Sequence, residues 1–197
     1  MDKLSYAWGL AMGRQLQGMG MKELNIDDFK DGVKGVFEGG EPAISPEEAQ
    51  KLIQDYLNDL QEKADAQARQ AGKEFLEQTK KEVANIQETA SGLLYVVDKE
   101  GEGAQPAATD EVTVHYTGKL IDGTVFDSSV NRGEPATFPL NRVIPGWTEG
   151  VQLMKEGAKY TFFIPSDLAY GAQGVPGAIP PHSTLIFEVE LIKVIKK

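Results

Sequence analysis

The residues best suited to chemistry lie in the last hundred or so positions, and most are aromatic. Tyr116, Phe126, Phe138, Trp147, Tyr170 and Phe187 occur there with Ile179, at the ends of strand-like runs or in loops rich in Gly and Pro. One carboxylate, Asp127, directly follows Phe126. Many aromatics around a single carboxylate describe an apolar pocket with one polar anchor. The sharpest local signal is Val143-Ile144-Pro145-Gly146-Trp147. Two β-branched residues lead into a Pro-Gly turn, which fixes the backbone and delivers the largest apolar side chain to one place. Taken alone, Trp147 reads more simply as core, because large aromatics dominate cores. Its company is what favours a pocket.

Other chemistries find little support. The chain has no cysteine, which excludes disulfides, thiolate nucleophiles and cysteine metal sites. Its two histidines, His115 and His182, lie far apart in sequence and read as structural rather than as metal ligands. Gly171, Gly174 and Gly177 lack the spacing of a phosphate-binding loop, and no Lys-Ser/Thr follows them. Turn glycines in a loop over the pocket account for them better. The net charge is −10, with both halves acidic, which argues against nucleic acid or an anionic membrane as the main partner. No run approaches the ~18 apolar residues of a membrane span. The start, Met1-Asp2-Lys3-Leu4, has no basic region leading into an apolar stretch. The expectation is a cytoplasmic protein, or a periplasmic or cell-surface one whose signal has been removed. Lys196-Lys197 reads as a solvated end.

The elements that must position these residues follow from periodicity. From Ser91 the apolar period is two. Leu93–Val97, Val112–Gly118, Lys159–Pro165 and Thr184–Ile195 are strand-like, rich in Val, Ile, Thr, Tyr and Phe. A short helix is expected from Trp147 to about Met154. This is an α+β domain, a twisted antiparallel sheet wrapped on a short helix with aromatics between them. Before it, residues 4–18 and 26–38 read as amphipathic helices, the second capped by Asn25 and stopped at Gly39-Gly40. Met12, Met19 and Met21 read as core. Ser45-Pro46-Glu47-Glu48 starts a helix strongly, and Pro46 to Gln87 reads as one helix of 42 residues. Leu52, Ile53, Tyr56, Leu57 and Leu60 make its first part adhesive. From Lys63 to Glu74 it carries no large apolar residue and reads as a solvated shaft, with Gly72 as its weak point. The expected organisation is therefore a helical module over 1–44, a long connecting helix over 45–90 and the α+β domain over 91–197. The first two helices cannot cover their own apolar faces, so a symmetric dimer through residues 1–60 is expected.

Five segments together resemble a known family. Val114-His115-Tyr116-Thr117-Gly118, Gly123 to Ser129 containing Phe126-Asp127, Val143 to Trp147, Ala169-Tyr170-Gly171 and Ile179 to Phe187 are similar, in order and spacing, to the FK506-binding-protein-type peptidyl-prolyl isomerases. The resemblance covers about residues 91–197. The region before it, with Ser5-Tyr6-Ala7-Trp8-Gly9, resembles the macrophage-infectivity-potentiator-like bacterial branch. That branch implies V-shaped homodimers joined through the N-terminal helices. The resemblance also implies a pocket of Tyr116, Phe126, Asp127, Phe138, Val143, Ile144, Trp147, Tyr170, Ile179 and Phe187. In it Trp147 is the floor and Arg132 supports Asp127 and Tyr116. Implied partners are proline-containing and unfolded polypeptides and the macrolides FK506 and rapamycin; no cofactor or metal is implied. Ala136, Val175 and Ala178 depart from the common pattern, which bears on macrolide affinity more than on catalysis.

The implied reaction is rotation about an X–Pro bond, opposed by a barrier of ~18–20 kcal/mol from amide resonance. No bond is made or broken, and the chain offers no nucleophile or proton-transfer pair. An apolar cage holding the proline and excluding water favours the less polar twisted amide. Tyr170 Oη and the Ile144 backbone N–H are expected to hold substrate carbonyls, with Asp127 acting electrostatically. Holdase chaperone and inactive adaptor are the rival readings.

Overall fold

A computed structural model describes residues 1–196. The second residue of the Lys196-Lys197 end lies outside them. The chain divides into two compact units, Met1–Lys63 and Ala64 onward.

Three helices contribute to the first unit. Helix α1 (Lys3–Gly18) begins at Asp2, whose carboxylate accepts the Ser5 N–H at 2.8 Å. Helix α2 (Ile26–Glu38) begins at Asn25, whose Oδ1 accepts from Asp27 and Asp28, and ends on left-handed Gly39. These caps satisfy backbone donors that the first turn leaves without partners. Helix α3 (Pro46–Glu82) begins at Ser45, whose hydroxyl accepts the Glu48 N–H at 3.1 Å. No residue of α1 or α2 is buried. Met12 and Met19 are 42% and 46% exposed and Met21 is half-buried, so within one chain the methionine stripe is not core, contrary to the core reading. The unit holds too few elements to cover it.

Helix α3 stops at Glu82 rather than at Gln87. Asn85 adopts a left-handed conformation, and Gln87–Glu88 forms strand β1, paired with the next strand. Backbone bonds offered by a sheet edge outcompete one more helical turn. The shaft also differs from expectation. Gly72 and Thr79 are buried, with Asp65, Ala68 and Phe75 half-buried, a stripe at spacings of three and four. This stretch lies against its own unit: Phe75 and Phe163 rings are 6.2 Å apart. A Cβ added at Gly72 would lie 2.5 Å from Thr184 Oγ1. The small residues that read as mere helix propensity are the ones that allow close approach, and Gly72 is the closest point rather than a weak one.

The second unit is built on a seven-stranded antiparallel sheet. Its strands are β1, β2 (Leu94–Lys99), β3 (Glu111–Leu120), β4 (Val125–Ser128), β5 (Ala136–Pro139), β6 (Lys159–Ile164) and β7 (Leu185–Ile195). The order is β1-β2-β6-β7-β3-β4, with β5 pairing β3 beside β4. Strands β4 and β5 are too short to show a period in the sequence. Two short helices complete the unit, α4 (Ser129–Arg132) and α5 (Pro145–Val151). Helix α5 starts two residues before Trp147 because Pro145 is preorganised for the first helical position. One face of the sheet and α5 enclose the core, in which Leu93, Val112, Phe162, Leu185, Val189 and Leu191 are fully buried. The C-terminal end is anchored as well as solvated: Lys196 Nζ bonds the buried Asp110 carboxylate at 2.9 Å and the Gln105 carbonyl at 2.7 Å. Among the described residues, no helix is long and apolar enough to cross a membrane.

Candidate active site

Trp147 is the base of the site. It sits on the first turn of α5, where its N–H bonds the Ile144 carbonyl at 2.9 Å, and only 4% of its surface is exposed. Three rings stand against it at steep angles: Tyr116 at 5.3 Å, Phe138 at 5.4 Å and Phe187 at 5.2 Å between centroids. Phe126 meets Phe187 edge-on at 5.5 Å. Edge-to-face packing directs positive ring edges onto negative faces and locks the walls in place.

Each wall follows from strand geometry. Tyr116 lies on β3 and Phe187 on β7, where Tyr116 pairs with Val189 and Gly118 with Phe187. Phe126 is on β4 and Phe138 on β5. Gly118 is required where these rings meet. A Cβ there would lie 2.6 Å from the Phe126 ring and 2.7 Å from that of Phe187. The cavity so formed measures about 440 Å³ and is lined by Tyr116, Phe126, Asp127, Phe138, Arg142, Val143, Ile144, Trp147, Tyr170 and Phe187. That volume suits a small ring and its flanking backbone.

One polar cluster borders this apolar space. Asp127 accepts hydrogen bonds from the Tyr116 hydroxyl and from Arg132 Nη1, and Arg132 Nη2 also donates to Tyr116 Oη at 3.2 Å. The guanidinium carbon lies 5.7 Å from the Tyr116 ring centre. Burial pushes the Asp127 carboxyl up, but the Tyr116 hydroxyl and the Arg132 guanidinium outweigh it and hold the carboxyl below its ordinary value. Burial, reinforced by Asp127, raises both Tyr116 and Tyr170, so both phenols keep their protons. The site therefore offers an ionised carboxylate whose charge is shared with a cation, two neutral hydroxyls and an apolar cage. This arrangement can hold and polarise a ligand, and it has no activated nucleophile. Among the described residues, no group of His, Asp or Glu side chains is placed to hold a metal.

Nine of the eleven residues expected at the site line the cavity. Arg132 stands behind the wall and supports Asp127 and Tyr116, as expected. Ile179 does not line the cavity; it is 5% exposed within the core. A tight turn holds it there, with the Ile179 carbonyl accepting the Val175 N–H at 2.7 Å and the Val175 carbonyl accepting the Ala178 N–H at 3.0 Å. Arg142 was not anticipated. It lies exposed at the mouth, on the 3-10 turn Leu140–Arg142. Its position immediately before Val143-Ile144 was the available signal.

Comparison with known proteins agrees with this geometry. Residues 102–192 match the model of the FKBP-type peptidyl-prolyl cis-trans isomerase, and residues 1–97 match that of the domain amino terminal to FKBP-type peptidyl-prolyl isomerase. The chain is 46% identical to the FKBP-type 22 kDa peptidyl-prolyl cis-trans isomerase of Escherichia coli, over 97% of this chain and 94% of that one. It is 50% identical to the FKBP-type peptidyl-prolyl cis-trans isomerase FkpA of Aeromonas hydrophila, over 99% of this chain and 76% of the relative. The crystal structure of FkpA from Escherichia coli matches with a TM-score of 0.78 and 38% identity, covering 98% of this chain and 96% of that one. With relatives so similar along almost its whole length, and with an aromatic cavity closed on a buried tryptophan, the chain belongs to the FKBP-type peptidyl-prolyl cis-trans isomerases.

Proposed function

We propose that the chain accelerates X–Pro isomerisation in folding polypeptides, working as a homodimer that also holds unfolded chains. The observation that carries the catalytic part is the cavity of aromatic rings around Trp147 with Asp127 as its single carboxylate. A proline ring sits on the Trp147 floor between Tyr116, Phe126 and Phe187. Val143, Ile144 and Phe138 exclude water from the adjoining amide. Loss of water favours the twisted state, whose dipole is smaller than that of the planar amide. The Ile144 N–H and Tyr170 Oη hold the flanking carbonyls. Asp127, ionised and fixed by Tyr116 and Arg132, sets the field at the twisting bond. Macrolides such as FK506 and rapamycin are proposed ligands of the same cavity.

The dimer is supported by apolar surface that one chain leaves open. Leu4 and Trp8 on α1, Val36 and Phe37 on α2, and Leu52 and Ile53 on α3 are 55% to 86% exposed. A groove of about 520 Å³ runs among Phe29, Val33, Val36, Ile44, Leu52 and Ile53. A second copy presenting the same faces covers them by symmetry. A protease-coupled assay on a proline peptide, run beside suppression of aggregation of an unfolded protein, tests the combined reading. Both activities are expected from one preparation. Aggregation suppression without isomerisation would leave a holdase, and neither activity would leave an adaptor.

A further inference from the structure

The loop that carries Tyr170 is held by α3. His182 lies in this loop with a left-handed backbone, φ 57°, and its N–H bonds the Gly171 carbonyl at 2.8 Å. Gly171 directly follows Tyr170, and the Gly171 N–H in turn bonds the Ser166 carbonyl at 2.9 Å. The backbone beside Tyr170 is thus tied to His182. The His182 side chain is only 11% exposed, and the polar groups beside its ring come from α3. Arg69 Nη1 lies 3.1 Å from Nε2, and Asp65 Oδ2 lies 3.6 Å from the same nitrogen. A guanidinium only donates, so Nε2 is the acceptor. Thr184, two residues on and 4% exposed, is the neighbour that requires Gly72.

We propose that Arg69 is a positioning residue of the isomerase site, acting through His182 and Gly171 on Tyr170. Arg69 does not line the cavity. Its guanidinium fixes the imidazole, the imidazole fixes the residue whose N–H holds Gly171, and Tyr170 is thereby aimed at the substrate carbonyl. Helix α3 is then a working part of the catalytic unit as well as a connector. The proposal rests on the substrate-holding role given to Tyr170 above.

A double-mutant cycle on the full chain tests it. Arg69→Ala, Tyr170→Ala and the double variant are compared by kcat and KM on a short proline peptide, with circular dichroism to confirm folding. Arg69→Ala is expected to lower kcat/KM roughly two- to tenfold, the scale of one ordinary hydrogen bond, mainly through KM. Arg69→Lys, which keeps a donor, should recover part of the loss. In the Tyr170→Ala background, Arg69→Ala should cost little more, because the residue it aims is gone. Should Arg69→Ala disturb folding, Arg69→Met, which keeps the length of the side chain and removes the donor, takes its place in the same cycle. A neutral Tyr170→Ala would overturn the role of Tyr170 itself. A damaging Tyr170→Ala beside a neutral Arg69→Ala, or losses that add in full, would overturn the clamp alone.

Discussion

At the scale of single residues, the site depends on one carboxylate being charged and two phenols staying neutral. Asp127 is the group with the most at stake. Its carboxyl is held below the usual value by Tyr116 and Arg132 against the push of burial. A depressed folded-state value means that Asp127 contributes stability above the unfolded carboxylate value of about 3.9, a contribution lost as pH falls through the folded value. The Asp127 side chain is 42% exposed, so water screens the pair and the contribution is modest. On the alkaline side, Tyr116 and Tyr170 are both raised. The pH profile of kcat/KM on a proline peptide should therefore be flat across neutrality, falling only in acid below the ordinary carboxylate range. A fall already complete by about pH 6 would contradict this assignment. These residues were legible in the sequence because the pocket is made of rare types: tryptophan, tyrosine and phenylalanine, with one aspartate beside them. Ile179 stands off the cavity lining and Arg142 stands on it for a common reason. Both sit in irregular turns, where the direction of a side chain depends on backbone geometry that no period reveals.

At the scale of elements, the long strands and the first two helices follow directly from periodicity and caps, as Asn25, Ser45 and Gly39 illustrate. The second part of α3 does not. Its contact stripe is Asp65, Ala68, Gly72, Phe75 and Thr79, mostly small or polar side chains. Hydrophobic patterning is blind to a helix that packs by closeness rather than by bulk. This has a consequence for where the isomerase unit begins. A fragment starting at Ala64 should match the full chain on short peptides. One starting at Ser91, where the sequence alone sets the boundary, should melt at lower temperature, because Phe163 loses Phe75 and Thr184 loses its cover. It should also show the raised KM expected of Arg69→Ala. Equal melting temperature and equal KM for the two fragments would show that the helix contributes nothing to the unit.

At the scale of the whole molecule, one chain folds around a well-buried core in its second unit and leaves the first with open apolar faces. Sequence reasoning anticipated that contrast from the two short helices, each apolar on a face with too little to cover it. A single-chain structure leaves those faces bare, and a second copy is the proposed cover. Placing a charge at Trp8 or Phe29, as Trp8→Asp or Phe29→Asp, should convert a dimer into a monomer by light scattering. It should spare activity on short peptides, since neither residue is in the second unit. Refolding of a protein limited by proline isomerisation should slow, because two pockets no longer share one client. A monomeric wild type, or a monomeric variant that refolds proteins as well as the parent, would contradict the proposed assembly.

Catalysis is assigned to an aromatic cavity whose only carboxylate is Asp127. The most direct measurement is kcat/KM of the full chain for isomerisation of a short proline peptide, taken for the wild type and for Asp127→Ala. Binding of a proline-containing ligand is measured in parallel. The account predicts clear acceleration by the wild type, and a loss in Asp127→Ala of about tenfold or more, larger than the loss in binding. No acceleration by the wild type, or an Asp127→Ala variant with unchanged kcat/KM, would contradict it.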